Sequence, residues 1–234
     1  MQFAVQGGQT IFVAAADHYT ADDISLYING SGMGAIALQR GRVPFHISGV
    51  QMGDKMIAIS GESGAGKSTL AALLAKRGLA HFTDDVGVVN PKDDPLMVLP
   101  MPKGIKVAAD VAQGLDVSVG AQVSQAFGLE KRYADDLPQS IAEALQFGAL
   151  YIISTDNADA FAINELKGGA KYAEIRKAIY REEWLAAFYT PQDIFALVIN
   201  LAAKIPVYAF HRPRDLSRAN ASAAYLEQHA RTLE

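Results

Sequence analysis

The sequence has no cysteine, no long apolar run and no surplus of basic residues, and each absence removes a class of function. Without cysteine the chain has no disulfides, thiolate metal ligands or thiol nucleophiles. No stretch approaches the roughly 20 apolar residues of a membrane helix, and the first residues lack the basic start and apolar stretch of a secretory signal. The net charge of −4 comes without a basic stripe. We therefore expect a cytoplasmic protein that binds neither membrane nor nucleic acid.

The sequence does have enough apolar material for one sizeable core, since 50% of its 234 residues are hydrophobic. Short β-rich segments fill about the first 60 residues, and strands then alternate with amphipathic helices. This order predicts an α/β (α+β) fold with a mixed sheet, in a single domain over residues 1–234 with a β-rich N-terminal portion at about 1–42. Residues 110–145 have weak periodicity, so we expect surface loops or a mobile segment that contacts the substrate. The main predicted strands are 10–16, 24–28, 34–38, 43–50, 55–60, 149–154 and 207–211, and the predicted helices are 68–77, 170–180, 191–203 and 219–231.

A glycine-rich segment between a predicted strand and a predicted helix has the pattern of a P-loop, Gly-x-x-x-x-Gly-Lys-Ser. Strand before and helix after are the context that makes this pattern specific, and a chance glycine-rich turn is the alternative. The loop and the helix N-terminus form an anion site from backbone N–H groups. Lys67 would reach the β and γ phosphates of ATP, and the Ser68 hydroxyl would bind Mg²⁺. The predicted nucleotide-binding residues are Gly61, Glu62, Ser63, Gly64, Ala65, Gly66, Lys67, Ser68 and Thr69.

Two adjacent carboxylates, Asp84 and Asp85, follow the segment that returns from the P-loop helix. If this segment is a strand beside the P-loop strand, both carboxylates lie near the phosphates. One carboxylate can then hold magnesium, and the other can accept the proton of an incoming hydroxyl. The alternative is a solvated turn, which Asp-Asp pairs often form between strands.

Further candidates lie before and after these motifs. His46 lies in a predicted strand that would pair with the P-loop strand and point the imidazole at the same pocket, although an ordinary strand histidine fits the pattern as well. Arg212 and Arg214 form a basic cluster after the last predicted strand and are candidates to bind a transferring phosphate or an acidic substrate. Lys103 and Lys106 are candidates for the same role.

A series of residues in the middle of the chain resembles the catalytic domain of the HPr kinase/phosphorylase family, whose P-loop domain is related to phosphoenolpyruvate carboxykinase. The resemblance is strongest over about residues 43–90 and weaker over 102–107 and 206–215, where the chain looks like short HPr-kinase-like proteins, including kinases of lasso-peptide precursors. The residues that carry it are His46, the loop at 61–68, Lys76, Arg77, Gly78, Asp84 and Asp85.

The resemblance implies transfer of the ATP γ-phosphate to a serine hydroxyl of a peptide or small protein. It also implies that Lys67 holds phosphate, that Ser68 and Asp85 hold magnesium, and that Asp84 is the general base with Asp85 and His46 beside it. Thr69 stands where the bifunctional enzymes of the family usually have an acid, so the reverse, phosphorylase, reaction stays open. Oligomers are known in the family, and a homo-oligomer is possible here.

Two other functions are compatible with the same motifs. One is a kinase of a small hydroxylated metabolite. The other is a regulatory module in which ATP stabilises a conformation or an assembly and no acceptor is phosphorylated.

Overall fold

The computed structural model describes residues 1–101, 104–124, 130–154 and 159–233, and three sheets and seven α-helices are present in these ranges. The strands are β1 (Gln2–Gln6), β2 (Thr10–Ala14), β3 (Val43–Phe45), β4 (Ser48–Met52), β5 (Lys55–Ser60), β6 (His81–Thr83), β7 (Gly87–Val89), β8 (Met97–Pro100), β9 (Lys106–Ala108), β10 (Val119–Gln122), β11 (Lys131–Ala134), β12 (Leu145–Ile153), β13 (Ala162–Glu165) and β14 (Val207–His211). The α-helices are α1 (Ala21–Tyr27), α2 (Met33–Gln39), α3 (Lys67–Lys76), α4 (Ala109–Gly114), α5 (Gly168–Ala178), α6 (Pro191–Lys204) and α7 (Ala219–Arg231). A π-helical turn, Ile28–Gly32, joins α1 to α2, and 3-10 helices occupy Glu182–Ala187 and Leu216–Arg218.

The largest sheet has nine strands of mixed direction, which confirms the predicted mixed sheet. Seven strands follow the order β3-β7-β8-β12-β5-β4-β6, and β14 pairs with β12 and with β13. β5, β12 and β14 run parallel, whereas β4 is antiparallel to both β5 and β6. β5 lies between β12 and β4, and its side chains are buried on both faces of the sheet. Ile57 and Ile59 belong to one hydrophobic core, and Met56 and Ala58 belong to the other.

Helices cover both faces of this sheet. α3 and α7 pack on one face through residues such as Leu73 and Leu226, and α5 and α6 pack on the other through residues such as Ile175 and Val198. No helix in the described part of the chain combines the length and the apolar character needed to cross a membrane. The helices predicted at 68–77, 170–180, 191–203 and 219–231 are confirmed by α3, α5, α6 and α7.

The strand directions bring several loops to one edge of the sheet. The parallel strands β5, β12 and β14 end at this edge, and the next residues are Gly61, Ser154 and Arg212. β6 is also parallel to β5, because both are antiparallel to β4, and it is followed by Asp84. β4 runs the other way and begins at this edge with Ser48. The carboxyl edge of parallel strands is where open α/β sheets bind ligands.

The N-terminal portion contains fewer strands than predicted. β1 and β2 form a hairpin, but the strands predicted at 24–28 and 34–38 are wrong, because these residues are helical. Thr20 and Asp23 form a capping box that begins α1, each side chain accepting a hydrogen bond from the other residue's backbone N–H. α2 is buried along most of its length. Its sequence is therefore a short, continuous apolar run, and such a run lacks the alternation of apolar and polar residues that distinguishes a helix from a strand.

Part of the segment 110–145 also differs from its prediction. Most of α4 and all of β10 and β11 lie in it, and β9, β10 and β11 form a three-stranded antiparallel sheet. Surface loops or a mobile segment were therefore the wrong expectation for these elements. Residues 125–129 lie outside the described residues.

Candidate active site

The glycines of the P-loop have backbone conformations that other residues avoid. The angle φ is 147° at Gly61, 80° at Gly64 and 95° at Gly66. A Cβ added at Gly61 would lie 2.7 Å from the carbonyl oxygen of Ile153, and one at Gly66 would lie 2.7 Å from a guanidinium nitrogen of Arg212. Both positions therefore favour glycine, because both have a positive φ and because Gly61 also packs closely against the backbone at the end of β12.

Lys67 begins α3, and its side chain folds back over the loop. Its Nζ donates hydrogen bonds to the carbonyl oxygens of Gly61 at 2.9 Å and Glu62 at 3.2 Å. Burial lowers the pKa of the ammonium group, while the nearby carboxylates of Asp85 and Asp84 act in the opposite direction. A positive charge thus lies inside a glycine-rich loop at a helix N-terminus, an arrangement that binds phosphate.

Asp84 is fully buried, and three groups donate hydrogen bonds to its carboxylate. The hydroxyls of Ser48 and Ser68 bind Oδ1 at 2.5 and 3.0 Å, and the backbone N–H of Lys106 binds Oδ2 at 3.1 Å. β6 does not pair directly with the P-loop strand, since β4 lies between them, yet its end still brings Asp84 to the first turn of α3. A solvated turn is excluded for Asp84 by this burial.

Asp85 has a different environment from that of its neighbour. Its φ of 68° lies in the left-handed region, and its side chain is 35% exposed. It forms an ion pair with Nζ of Lys106, whose own side chain is buried. The two adjacent carboxylates therefore point to different places: Asp84 towards α3 and Asp85 towards Lys106 and solvent.

The strand predicted at 43–50 is divided into β3 and β4, and His46 lies between them rather than in a strand, close to the charged groups of the site. Its backbone N–H donates to the carbonyl oxygen of Ala178 at 2.7 Å, and its ring meets that of Tyr180 edge-on with centroids 5.9 Å apart. Burial and the charge of Lys67 lower the pKa of His46 to about 4, while Asp85 acts in the opposite direction. The imidazole is therefore neutral at physiological pH.

Arg212 lies directly against the P-loop. One Nη donates a hydrogen bond to the carbonyl oxygen of Ala65 at 2.7 Å. Its Nε is buried and has no hydrogen-bond partner among the described residues. Burial lowers the pKa of the Arg212 guanidinium, and the charge of Arg214, an exposed residue, lowers it further. Lys103, a further predicted substrate contact, lies outside the described residues.

These residues fit a nucleotide phosphate group and its magnesium. The unpartnered Nε of Arg212 and the ammonium of Lys67 offer donors beside the loop. Ser68 and Asp84 would hold magnesium next to the phosphates, because their side chains already meet. No group of three or more His, Asp or Glu side chains in the described ranges could hold a metal ion by itself. Magnesium bound through one or two protein groups together with phosphate needs no such group.

A cavity of about 220 Å³ opens beside Asp85. Its charged walls are Asp85, Lys106, Lys131 and Arg181, and residues of the π-helical turn, including Ser31, close another side. None of the residues 61–69 lines it. The cavity is thus a second binding space next to the predicted phosphate site.

Sequence reasoning missed three of these side chains. Ser48, which binds Asp84, is a polar residue in an otherwise buried strand and faces Ile59 of the P-loop strand, a pattern that could have identified it. Lys131 lies in the segment 110–145 that was expected to contact the substrate but was not singled out, and Arg181 carries no local signal, because only the tertiary fold brings it to Asp85.

Comparison with known proteins gives limited information. No family model matches the chain, and no curated protein matches it. Among solved structures, it is similar to the HPr(Ser) kinase/phosphatase from Coxiella burnetii, with a TM-score of 0.42 and 14% sequence identity over 81% of this chain and 97% of that chain. The functional assignment therefore depends on the residues of this chain and their geometry.

Proposed function

We propose that this chain is an ATP- and magnesium-dependent kinase that transfers the γ-phosphate to a serine hydroxyl of a peptide or small protein. The observation that carries the proposal is the meeting of a P-loop lysine, a helix-start serine and two carboxylates at one sheet edge. Lys67 and Ser68 begin α3, Ser68 donates to Asp84, and Asp85 follows and lines a cavity. Phosphoryl transfer needs little more than positioned phosphates, charge neutralisation and a proton acceptor.

The geometry supports a division of roles between the two carboxylates that reverses the one implied by the family resemblance. Asp84 is fully buried and contacts Ser68, so it suits the magnesium side of the site. Asp85 lines the cavity and is partly exposed, so an acceptor hydroxyl can reach it. We therefore assign Asp85 as the general base and Asp84 as a magnesium-side ligand.

The proposed reaction balances without any further reagent. Asp85 takes the proton of the acceptor hydroxyl, the hydroxyl oxygen forms a bond to the γ-phosphorus, and the bond between that phosphorus and the β–γ bridging oxygen breaks. The products are a phosphate ester and ADP, and the proton leaves Asp85 to solvent. Magnesium, when bound, neutralises charge on the phosphate oxygens. Lys67 and Arg212 hold phosphate oxygens from two sides of the loop.

The choice of serine and of a peptide acceptor is supported by the resemblance of residues 43–90 to HPr-kinase-like proteins. The cavity next to Asp85 supports an acceptor that enters beside the nucleotide rather than through the P-loop.

Mass spectrometry of the products tests this function. Purified protein, magnesium and γ-labelled ATP are incubated with a degenerate library of serine peptides and, separately, with a metabolite mixture. We expect labelled phosphoserine peptides with wild type and none with Lys67→Ala. Label in the metabolite mixture alone would identify a small-metabolite kinase. Binding of ATP that raises the melting temperature without any transfer would identify a regulatory module.

A further inference from the structure

The cavity beside Asp85 is rich in positive charge. Lys106, Lys131 and Arg181 are three cationic side chains in its wall, whereas Asp85 is the one acidic residue in that wall among the described residues. Lys106 is already paired with Asp85. Lys131 and Arg181 therefore have no carboxylate partner in the cavity wall, although Arg181 lies 3.9 Å from the carboxylate of Glu183, an exposed residue outside that wall.

Lys131 is exposed, and strand register places it on the same face of the small sheet as Lys106. β11 pairs with β9 so that Tyr133 lies opposite Lys106 and Lys131 lies opposite Ala108. Residues two apart on a strand share a face, and so do directly opposite residues, so Lys131 and Lys106 lie on one face. Lys131 also depresses the pKa of both Lys67 and His46, which places its charge near the site. Lys131 forms no ion pair within the described residues.

Arg181 lines the same cavity and is held in place by its neighbours. Its φ of 51° is left-handed, a conformation that costs an arginine about 1 kcal/mol or more. Its Nε donates to the hydroxyl of Ser31 at 3.2 Å, and its guanidinium lies 5.2 Å from the ring centroid of Trp184 and 5.7 Å from that of Tyr180. A strained backbone, a hydrogen bond and two rings therefore orient this cation.

These cations are separate from the phosphate site. The cavity is lined by none of the P-loop residues, and the donors that face the loop come from Lys67 and Arg212. The surplus of positive charge therefore suits an anion other than the nucleotide. The volume of about 220 Å³ is that of a small group rather than a folded domain, since drug-sized ligand pockets begin at about 300 Å³.

We propose that this cavity binds the acceptor, and that the acceptor carries a carboxylate next to its hydroxyl, in a peptide as an Asp or Glu beside the serine. The inference rests on the proposed kinase function and specifies its substrate class. Lys131 and Arg181 bind the carboxylate, and the hydroxyl is thereby placed at Asp85. The cations act as specificity determinants, since an acceptor without the negative charge leaves Lys131 without an ion pair among the described residues and Arg181 with only its 3.9 Å pair to the exposed Glu183.

The test is the sequence preference of the phosphorylated products. A degenerate serine-peptide library, randomised at all positions around the serine, is incubated with magnesium, ATP and either wild type, Lys131→Gln, Lys131→Glu or Arg181→Gln. Lys92→Gln is the matched control, because Lys92 is exposed in the loop that contacts Lys204, away from the cavity. Small hydroxylated carboxylic acids form a second arm. ATP affinity is measured for each variant.

We expect Asp or Glu to be enriched beside the phosphoserine with wild type and Lys92→Gln. Lys131→Gln and Arg181→Gln should each reduce the enrichment about fivefold, the effect of one ion pair worth about 1 kcal/mol. Lys131→Glu should shift the preference towards Lys or Arg, which a misfolded variant cannot do. Phosphopeptides without acidic enrichment, or enrichment unchanged in Lys131→Glu, would overturn the inference and leave the kinase function intact. Label in the hydroxy acids alone would support an anionic acceptor and overturn its peptide nature, and no label in any arm would overturn the kinase function itself.

Discussion

The hydroxyl of Ser68 donates a hydrogen bond to Oδ1 of Asp84 over 3.0 Å, although the two residues are 16 positions apart. Ser68 lies in the first turn of the P-loop helix, and Asp84 follows β6. The contact joins the phosphate-binding loop to the carboxylate pair, and it depends on β4, which lies between β5 and β6 and pairs with both.

This contact predicts coupled effects on magnesium. Ser68→Ala and Asp84→Asn should each raise the magnesium concentration needed for half-maximal activity by about tenfold, because each removes an oxygen ligand or its orienting partner. Since the two side chains meet, the double variant should lose less than the sum of the single losses. A magnesium titration of the four proteins measures this, and strictly additive losses would show that the residues act separately.

A side chain at Gly66 should weaken the P-loop. Gly66→Ala combines a φ of 95° with a Cβ only 2.7 Å from Arg212, so we expect a loss of about 1–2 kcal/mol of unfolding free energy and weaker ATP binding. Gly64→Ala is the matched control, because its φ is 80° but nothing lies within 4 Å of the added Cβ. Denaturant unfolding and ATP titration should show a larger effect at Gly66. Equal effects would mean that backbone strain alone matters and that Arg212 does not constrain the loop.

Arg212 should contribute to phosphate binding rather than to folding. Arg212→Lys keeps the charge but loses the forked donors, including the Nε that has no hydrogen-bond partner in the described part of the chain. We expect ATP affinity to fall by about tenfold, as for the loss of one charge-assisted hydrogen bond, with little change in melting temperature without nucleotide. Arg214→Lys serves as the control on an exposed neighbour. Calorimetric titration with ATP measures the affinity of each variant. An unchanged ATP affinity in Arg212→Lys would show that Arg212 does not bind the phosphates.

Stability should depend on pH through His46. Its pKa is about 4 in the folded protein and near its ordinary value of about 6.5 when unfolded. The unfolded chain therefore binds the proton first as the pH falls, so folding loses stability between pH 6.5 and 4 and is unaffected by His46 above that window. The loss is at most about 3 kcal/mol, since His46 is partly exposed.

Urea unfolding at a series of pH values checks this dependence. His46→Gln should flatten the slope of stability against pH between 4 and 6.5, whereas His18→Gln, at an exposed position, should not. If both variants keep the wild-type slope, other groups cause the acid sensitivity.

The P-loop was predictable from the sequence because its information is local. The glycines, Lys67 and Ser68 lie within one short segment, and the flanking strand and helix have clear apolar patterns. The approach of Asp84 to this loop was also expected, but not the intervening β4 or the hydrogen bond from Ser48. The order in which strands pair depends on the whole sheet. Strands of only three residues, such as β6, are also too short to show the apolar alternation that identifies a strand in the sequence.

The acceptor cavity was not predictable, for a different reason. Its walls come from a π-helical turn, from β11 and from the left-handed Arg181, which are far apart in the chain. The helical nature of residues 21–39 was missed as well, since the capping box of Thr20 and Asp23 is a side-chain signal that outweighs the weak strand pattern of the apolar residues behind it.

The most direct test of the account is the rate of phosphoryl transfer by Asp85→Asn, measured together with its ATP affinity. Asp116→Asn is the matched control, because Asp116 also has a positive φ, 52°, but is fully exposed on the surface. We predict that Asp85→Asn binds ATP like the wild type and transfers phosphate at least about 100-fold more slowly, the usual contribution of a general base. Wild-type transfer rates in Asp85→Asn would contradict the assignment of Asp85 as the proton acceptor.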